Sequence, residues 1–277
     1  MNNILWLVNP VTFKREDFFF PAYLSRLNNS TLTALLMEAR VMEALPVFSN
    51  DVMFPTREYT IADTAINEES NTLFETGTAM LEKCAEENGI ELHIRSGSGD
   101  PLEQMVVEST FADLVLVHSN LTFSAADDRV PSDFILELLP KAKCPVLVMP
   151  DDMQEIKELY FTYNGKYSSV YSIRQFTYLF PQFKDLPVTI LTAPETEEDI
   201  PHKEHLKTLL QKHYSNITFK ILNGDAENAL MIELMPRKNA MVTFGAFGRN
   251  KISRFFKRSG ADNILHVINI PLFITHP

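Results

Sequence analysis

The sequence predicts an α/β fold: two tandem, doubly wound, five-stranded parallel-sheet domains, residues 1–150 and 151–277. Three observations lead there: an internal repeat, strands that alternate with helices, and strand-like runs that are apolar without interruption. The repeat comes first, because it organises everything else. Ile94-Arg95-Ser96-Gly97-Ser98-Gly99-Asp100 leads through a helical stretch to Asp113-Leu114-Val115-Leu116-Val117-His118. Phe219-Lys220-Ile221-Leu222-Asn223-Gly224-Asp225 leads in the same way to Asn239-Ala240-Met241-Val242-Thr243-Phe244-Gly245. Each half closes on a Pro-led apolar strand, around Pro145 and around Pro271. The offset is 125 residues at the Gly-Asp pair (99 to 224) and 126 at the closing strand (144 to 270), a difference of one single-residue indel.

The elements follow in order. Residues 3–8 read as a short apolar strand, 16–27 as a helix and 31–37 as a second strand. Residues 44–67, with Pro46 and Pro55, read as irregular. A helix is expected over 71–88, stopped at Gly89. Strands follow at 91–95, 114–118 and 146–149, with helices at 102–111 (Pro101 suits a first turn) and 132–139. The second half repeats the order, with strands at 158–162, 187–192, 217–222, 240–244 and 271–275. Its helices fall near 169–180, 202–214, 226–235 and 259–267. Alternation of this kind implies parallel pairing, and the unbroken apolar runs at 114–117 and 146–148 fit strands buried on both faces. The halves are expected to pack as an intramolecular pseudo-dimer, with Val146–Met149 and Leu272–Thr275 near its twofold axis. Homodimerisation stays open.

Composition narrows the function. The chain is 45% hydrophobic and 22% charged, as in ordinary globular proteins, and no window is long and apolar enough for a membrane helix. Neither a membrane nor a nucleic acid is expected as partner. The net charge of −11 divides into −12 over residues 1–150 and +1 over 151–277, and an acidic half repels phosphate backbones. Cys84 and Cys144 are too sparse for a disulfide framework or a metal site and suit a reducing, cytoplasmic compartment.

Gly99-Asp100-Pro101, the closing Cys144-Pro145-Val146-Leu147-Val148 and the run from Gly245 to Ser259 together resemble the universal stress protein family in its tandem form. The resemblance spans nearly the whole chain, twice. It implies an adenine nucleotide alpha hydrolase-like fold with strand order 3-2-1-4-5 and a stress-associated regulatory role. Nucleotide-binding relatives carry Gly, two residues, Gly, nine residues, then Gly and Ser or Thr. Gly245, Gly248 and Ser259 are in register with that pattern, and Arg258 replaces the third glycine. The resemblance therefore implies ATP or AMP as ligand. Gly245, Gly248, Arg249, Arg258 and Ser259 would lie toward phosphate, and Asn164 and Gly165 near base or ribose. Glycines past a strand and amides at a helix start are suited to phosphate. Asn164 stands where binding relatives usually carry Asp.

The first half departs further. His118-Ser119-Asn120-Leu121-Thr122 follows its fourth strand without a glycine, and Asp127 and Asp128 would repel phosphate. The Gly-rich stretch at 96–100 follows the third strand, not the first, so it is not a pyrophosphatase-type loop. His202 and His205 read as an exposed helix face, and His118 as a rim histidine. No nucleophile–base–acid set emerges, so no catalytic residue and no metal ligand is assigned. Three functions remain: a regulator that binds nucleotide in the second half, an interaction module recognising a protein partner with both pockets decayed, and a weak nucleotide hydrolase.

Overall fold

A computed structural model describes residues 1–37, 61–97, 99–123, 130–245 and 268–277, with backbone only for 61–70. The first half comprises β1 (Asn3–Val8), α1 (Phe19–Asn28), β2 (Thr31–Leu36), α2 (Ile61–Asn88), β3 (Leu92–Ser96), α3 (Pro101–Glu108), β4 (Leu114–His118), α4 (Asp133–Leu138) and β5 (Val146–Met149). The second comprises β6 (Glu158–Thr162), α5 (Tyr167–Leu179), β7 (Val188–Thr192), α6 (Lys203–Leu210), β8 (Ile217–Ile221), α7 (Ala226–Leu234), β9 (Ala240–Gly245) and β10 (Leu272–Thr275). Within each half the strands are parallel, in the order 3-2-1-4-5.

The expectation of two separate sheets is corrected. β5 and β10 pair antiparallel and join the halves into one ten-stranded sheet. The offset of 126 carries Val146, Leu147 and Val148 onto Leu272, Phe273 and Ile274. The residues that pair are Val146 with Ile274, Leu147 with Phe273 and Val148 with Leu272. Leu147 and Phe273 are therefore both equivalent and opposite, so a local twofold axis runs between them. Bringing the two closing strands together satisfies backbone groups that each five-stranded sheet would leave open at its edge.

The start of α2 is the second correction. Irregular chain was expected through residue 67, yet Ile61–Asn88 is helical throughout. The stretch Ile61-Ala-Asp-Thr-Ala-Ile-Asn-Glu-Glu-Ser70 holds no proline or glycine and is rich in alanine and glutamate, which propagate a helix that tertiary packing has already nucleated. Residues 44–60 of that expected irregular stretch, and the expected helix over 259–267, lie outside the described residues.

One sheet face carries α1, α2, α5 and α6. Its core holds Trp6, Phe18, Leu81, Phe161, Phe176 and Phe273. Phe176 of α5 sits 5.4 Å from Phe161 and 5.2 Å from Phe273, ring centre to ring centre, so one aromatic links β6 to β10. The opposite face carries α3, α4 and α7, with Met105, Ile135, Leu138, Leu230 and Leu234 buried against it. β4 is sealed from both sides, which accounts for its unbroken apolar run.

The repeated Gly-Asp is a helix start. Gly99 and Gly224 take φ of +91° and +84°, which glycine adopts without strain. Asp100 then accepts the Glu103 N–H at 2.8 Å, and Asp225 the Asn228 N–H at 3.1 Å, capping α3 and α7. A second pair of equivalents ties each terminal strand to the following helix: Arg95 to Glu108 at 2.7 Å and Lys220 to Glu233 at 2.6 Å.

Candidate functional site

In a doubly wound sheet the ligand crevice lies at the carboxyl ends of the strands, where the order reverses. Here that is β1 beside β4 and β6 beside β9. In the second half, β6 runs into Tyr163-Asn164-Gly165. Asn164 Oδ1 accepts the Lys166 N–H at 3.0 Å, closing a tight turn. Gly165 has φ +74°, and a Cβ there would fall 2.5 Å from the Pro201 side chain. The Tyr163 hydroxyl donates to the Pro201 carbonyl at 2.6 Å, and burial raises the pKa of the phenol, so it remains a donor.

These residues border a cavity of about 570 Å³, within the range of small-ligand sites. Asn164 and Thr162 line it from β6, Leu191 and Ala193 from β7 and its loop, Leu222 and Leu230 from β8 and α7. Glu195 and Asp199 stand in its lining from the loop between β7 and α6. A second cavity, of about 340 Å³, lies across Tyr163 and Gly165, bordered by Val170, Leu206, His202 and His205. Both histidines are exposed, and no group of three metal-ligating side chains occurs among the described residues.

Gly245 ends β9 beside this crevice. A Cβ on it would lie 2.2 Å from the Ser168 carbonyl oxygen and 2.5 Å from the Ser169 nitrogen. Its missing side chain admits the first turn of α5. Asn164, Gly165 and Gly245 thus come together at the carboxyl ends of β6 and β9. Gly248, Arg249, Arg258 and Ser259 lie outside the described residues, as do Asp127 and Asp128.

The first half has the same frame with different filling. Asn9 Oδ1 accepts the Val11 N–H at 3.1 Å, repeating the turn at Asn164. Gly97 N–H donates to the Leu36 carbonyl as Leu222 N–H donates to that of Thr192, so Gly97 matches Leu222 and Met37 matches Ala193. Met37 is 2% exposed and lies over Gly97, where a Cβ would sit 2.9 Å from its Cγ. The thioether therefore lies where the Leu222 side chain stands in the second half. α2 comes close as well: a Cβ on Gly77 would lie 1.9 Å from the Pro10 carbonyl oxygen. At the end of β4, His118 Nδ1 meets Asn120 Oδ1 at 2.7 Å, and the Asn120 amide donates to Asp151 at 3.0 Å, a polar array at the rim where a phosphate loop would stand.

Sequence reasoning overlooked Ala193, Glu195, Asp199 and Leu222. The available signal was the mismatch between Met37 and Ala193 at the end of the second strand of each half.

No family model and no curated protein matches the chain. Solved structures do. A universal stress protein from Archaeoglobus fulgidus superposes with a TM-score of 0.68 at 12% identity, over 99% of this chain and 98% of that one. A protein described as a putative universal stress protein from Pseudomonas aeruginosa gives 0.56 at 11% identity, over 100% and 94%. The cytoplasmic domain of a prokaryotic cation chloride cotransporter gives 0.52 at 11%, over 99% and 94%. Likeness at such identity is a likeness of fold, and matching along almost the full length of each chain it establishes that this polypeptide has the universal stress protein fold.

Proposed function

We propose that the protein is a stress-associated regulator that binds an adenine nucleotide, ATP or AMP, in its second half and acts by binding rather than turnover. The observation that carries this reading is the cavity at the carboxyl ends of β6, β7 and β8, with Asn164 in its lining. In this reading Asn164 and Gly165 face base or ribose, and Gly245, Gly248, Arg249, Arg258 and Ser259 serve the phosphate side. The setting is the cytoplasm; both cysteines are free thiols. No helix among the described residues is long and apolar enough to cross a membrane.

Thermal unfolding with ATP, AMP and cyclic AMP tests the reading. A ligand at a hundred times its Kd stabilises the native state by about 2.7 kcal/mol, and the melting temperature rises accordingly. Gly248→Val should remove that rise while leaving the unliganded melting temperature near wild type. No rise with any of the three at millimolar concentration refutes nucleotide binding.

A second reading, a protein-interaction module with both nucleotide pockets decayed, draws on Gly245. Packing of α5 accounts for that glycine without a ligand. Purification from cells separates the two, since only a nucleotide binder carries a bound nucleotide through it.

A further inference from the structure

The helix α5 carries a run of large side chains on the side turned away from the sheet. Tyr167, Tyr171, Arg174 and Tyr178 are spaced four, three and four residues apart, the spacing of a coiled-coil seam. Tyr167 and Tyr178 are 63% and 53% exposed, Arg174 is exposed and Tyr171 is half-buried. The run forms a ladder. The Tyr167 and Tyr171 rings lie 5.9 Å apart, and the Arg174 guanidinium lies 5.9 Å from the centre of the Tyr178 ring. The first half shows such a face covered. There α2 lies beside α1: Arg15, just before α1, pairs with Glu87, and Arg26 donates to the Asn88 carbonyl at 3.3 Å. Ala22, two residues after the core Phe20, is buried, whereas Tyr178, two residues after the core Phe176, is open. The equivalent of α2 in the second half, α6, has 8 residues, and the run on α5 stays exposed among the described residues.

The spacing reads the same in both directions. Two copies of α5 laid antiparallel bring Tyr171 of each against the partner's Arg174, and Tyr167 against the partner's Tyr178. The first contact sets a cation on an aromatic ring and the second sets ring on ring, and tyrosine and arginine are the residues that interfaces favour. A parallel pairing would set Arg174 against its like. The face belongs to the half whose net charge is +1 rather than −12, so two copies meet here without the repulsion that the acidic half would bring. Four side chains of this size, partly covered already, offer on the order of 400 Å² per copy, about half of a standard interface. That area fits a weak, reversible dimer. We infer that the outer face of α5 is a self-association surface, on which two copies of the chain pair antiparallel with Tyr171 on the partner's Arg174. The inference goes beyond the nucleotide reading and does not depend on it.

Sedimentation velocity of the full chain over a series of concentrations tests it. A monomer–dimer equilibrium with a Kd of roughly 10–100 µM is expected. Tyr171→Arg sets two arginines against each other and should weaken the dimer about tenfold or more. Exchanging the pair, Tyr171→Arg together with Arg174→Tyr, rebuilds the same cation–ring contact and should return the affinity to within about threefold of wild type. Tyr178→Ala changes an exposed side chain, so it should weaken the dimer with an unchanged melting temperature, which tells lost association from lost fold. Phe111→Ser removes an exposed aromatic of the first half and should leave the equilibrium as it is. A chain that stays monomeric up to about 1 mM overturns the inference. So does a dimer that Tyr178→Ala leaves intact or that Phe111→Ser dissolves. Failure of the exchange to restore what Tyr171→Arg removes overturns it as well, because that contact defines the antiparallel pairing.

Discussion

The two halves share a strand order, a turn after the first strand and a Gly-Asp helix cap, yet differ at the carboxyl edge of the sheet. In the first half Met37 lies over Gly97, and a 28-residue helix, α2, rises against the loop after β1. In the second, Ala193 and Leu222 border a cavity, and the equivalent helix, α6, has 8 residues. At about 1.5 Å per residue α2 is roughly 42 Å long, more than twice the length of a strand here. The fold supplies the same frame in both halves, and a paired exchange at the ends of the second and third strands, Met37 with Gly97 against Ala193 with Leu222, changes its filling. Function on such a frame belongs to the local residues, not to the topology.

The largest expected effect lies at Gly245. Gly245→Val drives a branched side chain into the backbone of α5, whose oxygen lies 2.2 Å from the Cβ position. The cost should be about 4 kcal/mol, at the upper end for overpacking, seen as a lower denaturant midpoint. The equivalent position in the first half is Ser119, buried with a side chain already present, so Ser119→Gly should cost about 1 kcal/mol or less. Equal losses at the two sites would show that the halves pack their first helices alike and would break the contrast.

Next comes Met37→Ala. Removing this buried side chain should cost about 2–3 kcal/mol, through lost burial and the cavity left behind. It should also open a space over Gly97, where the second half has the Leu222 side chain. A denaturation curve gives the cost, and uptake of an apolar probe gives the cavity. No loss of stability would mean that Met37 is not what fills the crevice.

The smallest effect concerns acid. Burial lowers the pKa of His276, just after β10, and its Nε2 is buried without a hydrogen-bond partner among the described residues. The unfolded chain then binds the proton more readily, so this contribution to stability is complete above the ordinary histidine pKa of about 6.5 and is lost as pH falls below it. His276→Gln should flatten stability between about pH 7 and pH 5, as followed by urea unfolding. The equivalent residue in the first half is Pro150, which does not titrate, so this acid sensitivity belongs to the second half alone.

Much of the fold was legible because its signals are local. Apolar runs such as Leu114–Val117 mark buried strands, and a Gly-Asp pair announces a turn and a cap within four residues. The nearness of the two closing strands to a twofold axis was expected, but their pairing into one sheet was not legible, because an apolar strand such as Val146–Met149 carries no mark of its neighbour on either side. The helical character of 61–70 was easily missed because its apolar spacing is brief, Ile61, Ala62, Ala65 and Ile66, and ends in the polar run 67–72. The site was half legible. Asn164, Gly165 and Gly245 could be placed at strand ends, but a glycine is called for equally by a ligand and by a close backbone, and only the position of Ser168 shows the second at Gly245. The cavity depends on small side chains from three elements, a coincidence in space that no single stretch of sequence records.

The central seam has a consequence for solubility. Two separate five-stranded sheets would present four open rims of unpaired amides and carbonyls, and among the described residues the seam reduces these to two, β3 and β8, at the ends of the strand order. Each of those carries one member of an equivalent cationic pair, Arg95 and Lys220, 57% and 47% exposed at the side chain. A stray strand that tried to extend the sheet from either end would have to lie beside that cation and strip water from it. Joining the halves thus removes half of the surfaces on which fibril-like stacking could begin, and charge discourages it at the rest.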